Sequence, residues 1–403
     1  MRFCFVLPRA GEGIAGGAEG LCRELAERLI ARGDVVSIFT TCAVDNRTWE
    51  NALPAGETVE NGVRIERFPV DPRNLEAWVP LQIALHHGQR LSVDEEITWL
   101  KESVNSSSLF QALERNYNEF DFFIFAPYLF GTSIVGPHCV PGKAILLPCL
   151  HDESYAFMRV VAAAFRAARG CIFNAAAERR LAERLYGPLH GGVVGMGFDV
   201  VAEPPSKSFP ELAPYLLYLG RKETGKGVHI ALDYFVGGKE SGKLPERLKF
   251  VVAGPGSFSD LERPAYEARE DIVDIGKLTE DEKRGLLRGA LALVQSSGNE
   301  SFSIVLMESW LQKRPVLVNA YCDVTREHVI DSNGGLFFGN QDEFFFIIQE
   351  LLGSPDLGNL FGARGFDYVL SRYNWEGVLQ RFDGAIEAIA RSPADNDMRV
   401  ASS

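Results

Sequence analysis

Residues 299–314 read NESFSIVLMESWLQKR. The apolar run before them, Ala290-Leu291-Ala292-Leu293-Val294, has the length and composition of a buried strand. Gln295 to Asn299 is a polar loop, and from Ser301 onward Phe302, Val305, Leu306, Met307, Trp310 and Leu311 recur at helical spacing. The order is therefore strand, loop, helix, with Glu300 at the helix mouth and Glu308 on the third turn. The N–H groups near Ser301 to Ile304 have no partner within such a helix, and a helix start of this kind attracts anions. A carboxylate at that mouth repels phosphate but accepts hydrogen bonds from sugar hydroxyls. Eight residues of helix rise span roughly 12 Å, about enough to set one carboxylate near each end of a sugar–diphosphate–ribose ligand. The plainer account of the same glutamates is a solvated helix face with an acid near its positive end.

The chain of 403 residues is long enough for two domains with a core each. A net charge of −13 and a pI of about 5.2 speak against a nucleic-acid partner and against an extended polybasic membrane surface. The seven cysteines are scattered and include no CxxC pair, which suits small apolar residues in a reducing compartment rather than a disulfide or zinc framework. No apolar run reaches transmembrane length, and Met1 to Pro8 reads as a first strand rather than a signal peptide. The expected location is the cytoplasm, with the inner face of the membrane as the alternative. Residues 392–403 are expected to form a disordered tail.

From its start, the chain alternates strand and helix. Phe3 to Leu7 is strand-like, a glycine-rich loop follows, and a helix runs from about Ala18 to a C-cap at Gly33. Val35 to Thr40 is the next strand, completing the opening of a doubly wound sheet. Gly11, Gly13 and Gly16 spell GxGxxG, but the second strand ends Thr40-Thr41-Cys42 without the acid that a dinucleotide site needs. A broader reading makes Gly16 and Gly17 an anion cradle before a helix, and a simple turn of the chain remains the alternative. Residues 71–119 are helical in tendency and interrupt the alternation, either as a pocket-shaping insertion or as a scaffold excursion.

His151 lies just past a strand ending near Leu147, at the sheet edge where open α/β folds bind ligands. It is either structural or a donor to a phosphate or an acceptor hydroxyl. Ala175 to Tyr186 reads as a helix whose cations are partly offset by Glu178 and Glu183: a solvated face, with a weak peripheral membrane contact as the alternative. Four prolines mark residues 204–214 as a linker. Then Tyr215 to Leu219 is a strand that runs into GRKETGKG. Arg221 and Lys226, among glycines before a helix, suit a diphosphate, and an exposed charged turn is the alternative. Lys277 and Leu278 end another strand, where their backbone can meet a nucleobase or simply join strand to helix.

The ordered set formed by Gly16-Gly17-Ala18-Glu19, His151, Gly220-Arg221 with Lys226-Gly227, and Glu300…Glu308 resembles the retaining glycosyltransferases of family 4 (glycosyl transferases group 1). The resemblance covers nearly the whole chain and implies the α/β GT-B fold, two Rossmann-like doubly wound domains facing across a central cleft. It implies an acceptor-side domain at 1–203 with its insertion at 71–119, a linker at 204–214, and a nucleotide-sugar domain at 215–372. A helix at 373–391 would cross back to the first domain. By the same resemblance, His151 and Glu300 are catalytic, and Gly16, Gly17, Arg221, Lys226, Ser303 and Ile304 hold the donor diphosphate. Glu300, Ser301 and Phe302 meet the sugar, Glu308 the ribose, and Lys277 and Leu278 the base.

The activity implied is transfer of a hexosyl group from a UDP- or GDP-sugar to a glycan, lipid-linked or small-molecule hydroxyl. No metal and no cofactor is implied; the nucleotide sugar is a co-substrate. Two departures stand out: Ser301-Phe302-Ser303 replaces the family's Gly-Phe-Gly, and Asn319 to Val324 replaces a glycine-rich loop. A nucleotide-binding scaffold subunit without turnover and a nicotinamide-dependent oxidoreductase are the competing readings.

Overall fold

Two parallel sheets organise the chain. The computed structural model describes residues 1–392 apart from Glu12 and Ala15, so the expected tail lies outside the described residues except for Ser392. One compact unit comprises Met1–Met196 together with the residues from Leu379 on; the other is Gly197–Val378.

The first sheet contains β1 (Arg2–Val6), β2 (Val35–Thr41), β3 (Gly56–Glu60), β4 (Val63–Phe68), β5 (Phe122–Phe125), β6 (Ala144–Leu146), β7 (Gly170–Phe173) and β8 (Gly191–Val193). Their order is β3-β4-β2-β1-β5-β6-β7-β8. All neighbours are parallel except β3, which runs antiparallel to β4. Strands such as Phe122–Phe125 are buried along their whole length, because helices cover both faces of a parallel sheet. The edge strand β3 carries Glu57 and Glu60 and is mostly exposed, so it has no apolar signature to read.

The expected insertion resolves into helices Leu75–His86, Val93–Lys101 and Ser107–Arg115. Trp99, Leu109 and Leu113 join the main core of this unit with Phe123 and Phe125. Helix Trp375–Arg391 brings Phe382 against Phe3 at 5.4 Å, and Arg381 Nε donates to the Val194 carbonyl.

The second sheet contains β9 (Tyr215–Leu219), β10 (Lys249–Ala253), β11 (Ile272–Gly276), β12 (Ala292–Gln295), β13 (Val316–Asn319) and β14 (Gly335–Phe338). It is parallel throughout, in the order β11-β10-β9-β12-β13-β14. The strand order therefore reverses between β9 and β12, and in the first sheet between β1 and β5. Crevices open at such switch points, beyond the carboxyl ends of the strands. The proline-rich residues 204–214 lie on this second unit. Ser206 and Lys207 donate backbone N–H groups to Asp281, and Leu212 is buried.

The helix expected from Ser301 begins instead at Ile304 and ends at Leu311. Ser303 has φ +69° and ψ +78°, a left-handed conformation that a helix cannot include. Phe302 fits the helical spacing but is not on the helix. Its ring stacks with Phe198 and meets His328 and Tyr373 edge-on.

Candidate functional site

The carboxyl edge of the second sheet gathers most of the residues expected to meet a ligand. Beyond β9, the turn Thr224–Lys226 leads into helix Val228–Glu240 through Gly227. Gly227 has φ +66°, and a β-carbon there would collide with the carbonyl oxygen of Ser296, just past β12. Only glycine allows this approach, which closes the β9 turn onto the β12 loop. Lys226 Nζ then reaches Glu300 Oε1 at 2.8 Å, so the two expected site residues form an ion pair across the switch point. The Glu300 side chain is 11% exposed, and that of Lys226 29%.

The loop bearing Glu300 is held by its own polar groups. Gln295 Oε1 accepts from the Ser297 N–H, Gln295 Nε2 donates to Ser303 Oγ, and Ser297 Oγ donates to the Asn299 carbonyl. Asn319 Nδ2 adds a bond to the Ser296 carbonyl. Ser303, where the family resemblance has glycine, sits in a conformation that glycine adopts without strain. Its side chain does not cap the helix, which leaves first-turn N–H groups such as that of Ile304 free for an anion. Phe302 is 5% exposed, so its contact with any ligand runs through its backbone and not through its ring.

Arg221 is half exposed and pairs with Glu223 at 3.0 Å. The adjacent cation, Lys222, was given no role by sequence and is the buried one. Its Nζ bonds the carbonyls of Gly254 and Gly256 and pairs with Asp274 at 3.0 Å. It ties the β9 loop to the loop after β10 and to β11 itself, leaving Arg221 and Lys226 as the accessible cations.

Glu308 also has a lysine partner. Lys283 Nζ lies 2.6 Å from Glu308 Oε1 and also pairs with Glu280. Burial alone would depress the Lys283 ammonium; Glu308 and Glu280 outweigh it and raise its pKa. Lys283 lies on helix Glu280–Gly289, which opens with a Thr279–Glu282 capping box directly after Lys277 and Leu278. The expected base contacts therefore stand beside the helix whose Lys283 holds Glu308. Lys283 escaped the sequence reading because its partner is 25 residues away and no local spacing links them.

The first unit holds the other expected residues. His151 Nδ1 lies 3.5 Å from Glu153 Oε1, which also accepts from the Tyr128 hydroxyl at 2.8 Å. Behind this loop stands Glu178, read from sequence as part of a solvated face. It is instead 1% exposed: Oε1 accepts the Leu150 N–H at 2.7 Å and Oε2 the Asn174 N–H at 2.6 Å. Burial raises its pKa to about 7, against those bonds and the charge of His151. Its position near the start of helix Ala176–Tyr186 was the available signal, since an acid in a first turn often bonds backbone N–H groups. The insertion buttresses the same region, because Trp99 Nε1 donates to Gln82, whose Nε2 donates to the Tyr155 hydroxyl.

At the glycine loop, Gly16 is extended and Gly17 opens helix Gly17–Ala31. Glu19 folds back over Gly16, with its carboxylate 2.7 Å from Arg9. An acid of the chain itself therefore sits at the helix mouth where an anion was expected. β2 ends at Thr41, whose hydroxyl donates to the Pro8 carbonyl, so no carboxylate closes that strand for a nicotinamide dinucleotide.

Known proteins resemble this chain in sequence and fold. The model of the family described as "Glycosyl transferases group 1" matches residues 201–365, within the second unit. The phosphatidyl-myo-inositol mannosyltransferase of Mycobacterium leprae is 27% identical over 203 residues, 49% of this chain and 53% of that protein. The lipopolysaccharide 1,2-N-acetylglucosaminetransferase of Salmonella typhimurium is 26% identical over 187 residues, 43% of this chain and 48% of that one. The chain spans about half the length of these curated relatives. Among solved structures, Anabaena HepE in complex with UDP and glucose superposes with a TM-score of 0.69 at 15% identity, over 96% of this chain and 99% of that one. The trehalose-6-phosphate synthase OtsA gives a TM-score of 0.73 at 11% identity, over 98% and 100%. The fold is the GT-B fold of these glycosyltransferases. Among the described residues, no helix is long and apolar enough to cross a membrane.

Proposed function

We propose that the protein is a retaining glycosyltransferase that moves a hexosyl group from a UDP- or GDP-sugar to a hydroxyl acceptor without a metal ion. The Lys226–Glu300 pair at the β9/β12 switch point carries this reading. Each partner satisfies the other with the kind of bond that a donor would offer. A diphosphate takes over the lysine, and sugar hydroxyls take over the carboxylate. The Lys283–Glu308 pair plays the same part at the nucleoside end, with Glu308 turning to the ribose and Lys277 and Leu278 lying by the base.

In the reaction, the bond from the sugar's anomeric carbon to the β-phosphate oxygen breaks. The acceptor oxygen bonds to that carbon on the same face. The acceptor proton passes to the departing phosphate, and a nucleoside diphosphate leaves. Arg221, Lys226 and the free N–H groups at Ser303 and Ile304 neutralise charge on that phosphate, the work a divalent ion does elsewhere. The resemblance assigns His151 to the reacting sugar and Gly16 and Gly17 to the diphosphate. The curated relatives are named for phosphatidyl-myo-inositol and lipopolysaccharide, which favours a glycan or lipid-linked acceptor.

Incubation with a panel of UDP- and GDP-sugars and candidate acceptors, with and without EDTA, tests this. Transfer with a retained anomeric configuration, unaffected by EDTA, is expected. An inverted product or strict metal dependence would overturn the mechanism.

A further inference from the structure

The opposite edge of the second sheet carries a different charge pattern. A pocket of about 440 Å³ lies there, lined by Arg284, Arg288, Lys313 and Arg314, with Val200 and Val201 among its other residues. Its volume is within the range of small-ligand pockets. Arg288 comes just before β12, and Lys313 and Arg314 just before β13. Glu300 follows the carboxyl end of β12. A four-residue strand is roughly 13 Å long, so this pocket is separate from the proposed donor site.

Four cations converge on it, in a chain whose net charge is −13. Among the described residues, none of the four is ion-paired. Their contacts are with carbonyls and a ring: Arg284 donates to the Glu203 carbonyl, Arg314 Nε donates to the Arg288 carbonyl at 2.6 Å, and Lys313 Nζ stands 4.7 Å from the centre of the Phe366 ring. Arg284 Nε is buried without a partner. Burial, and after it the charge of Arg288, hold the Arg314 guanidinium below its usual pKa, against the opposing effect of Tyr215. The one acid among the lining residues, Glu203, meets Arg284 through its backbone carbonyl, and no ion pair is formed between its carboxylate and any of the four cations.

We propose that this pocket is a second anion site, which takes a phosphate-bearing ligand on Arg284, Arg288, Lys313 and Arg314. Guanidinium groups bind phosphate oxygens in pairs, and the ammonium adds a point charge. The phosphate belongs either to a soluble pyrophosphate or phosphate ester, or to the headgroup of an anionic lipid. Val200 and Val201, 50% and 52% exposed, give the pocket an apolar margin in both cases.

The test uses the full chain and the double variant Arg288→Gln/Lys313→Asn. Both side chains are exposed, and asparagine tolerates the φ of +56° at position 313. Thermal melts check that the variant folds, and Arg288→Gln alone provides a second, milder probe. Inorganic pyrophosphate is titrated by calorimetry with and without saturating UDP. In parallel, flotation is measured with phosphatidylcholine vesicles, with and without phosphatidylglycerol. A pyrophosphate component that UDP does not displace, and that weakens at least about tenfold in the double variant, establishes the site with a soluble ligand. Flotation that depends on phosphatidylglycerol and is lost in the double variant establishes it with a headgroup. If both probes treat the wild type and the variant alike, or if all pyrophosphate binding competes with UDP and no flotation occurs, the proposal is overturned.

Discussion

Glu178 of the first unit is held in the opposite way from Glu300 and Glu308 of the second. In the first, Glu178 is buried and spends both oxygens on backbone N–H groups of Leu150 and Asn174, fixing the loop that carries His151. In the second, Glu300 and Glu308 are partly accessible and each is held by one lysine, Lys226 or Lys283. A carboxylate bonded to backbone cannot leave without orphaning the donors it serves. A carboxylate bonded to a flexible ammonium can exchange it for a ligand. The difference separates a residue that builds a loop from residues proposed to meet the ligand.

The largest expected effect comes from breaking the exchangeable pair. Lys226→Met is expected to lower transfer about 10²–10³-fold, the usual cost of losing one group that stabilises developing charge. Melting temperatures should change little, because the pair is partly exposed. Initial rates and melts on the same preparation check this. A large fall in stability with ordinary turnover per folded molecule would place Lys226 with the builders instead.

The second effect falls on stability. Glu178→Gln turns one acceptor into a donor that faces a backbone N–H, at a cost of about 1–3 kcal/mol. The pH dependence sharpens the point. The folded state raises the Glu178 pKa from 4.5 to about 7. Its contribution is therefore full below pH 4.5 and is lost as the pH rises through 7. Across that window the wild type should lose stability relative to Glu178→Gln, and denaturant melts at several pH values would show the gap narrowing. A gap that widens would refute the buried placement.

A pH effect of opposite sign belongs to the second unit. Burial, aided by Arg372, lowers the His328 pKa from 6.5 to about 4, so its contribution is present above pH 6.5 and lost as the pH falls through 4. His328→Gln should flatten that acid limb of the stability curve while leaving the one due to Glu178 in place. If the acid limb persists unchanged, His328 does not cause it.

Much of this architecture can be read from the sequence, because parallel strands and their helices leave strong periodic signals. Phe122–Phe125 and Tyr215–Leu219 are uniformly apolar, and the turn residues between elements are plain. What escaped is non-local. Phe302 has the right spacing for the helix, yet the left-handed Ser303 puts it into a cluster with Phe198 and Tyr373. Arg221 and Lys222 are neighbours of equal charge, and only the tertiary placement of Gly254, Gly256 and Asp274 decides which one is buried. Glu178 lies in a run of charges whose pattern suggests solvent, while its partners come from two other loops. At the candidate site, the sequence marks Lys226, Glu300 and Glu308, but it does not show that two of them pair or that Lys283 completes the second pair.

The division of labour between the two accessible glutamates is the central claim, and the affinity for UDP or GDP measured by calorimetry in Glu300→Ala and Glu308→Ala tests it most directly. Loss of the ribose contact in Glu308→Ala should weaken nucleoside diphosphate binding at least about tenfold, in line with a charge-assisted bond worth about 1.5–3 kcal/mol. Glu300→Ala should bind the same nucleotide nearly as the wild type does and lose sugar transfer instead. Equal weakening of nucleotide binding in both variants would contradict the account.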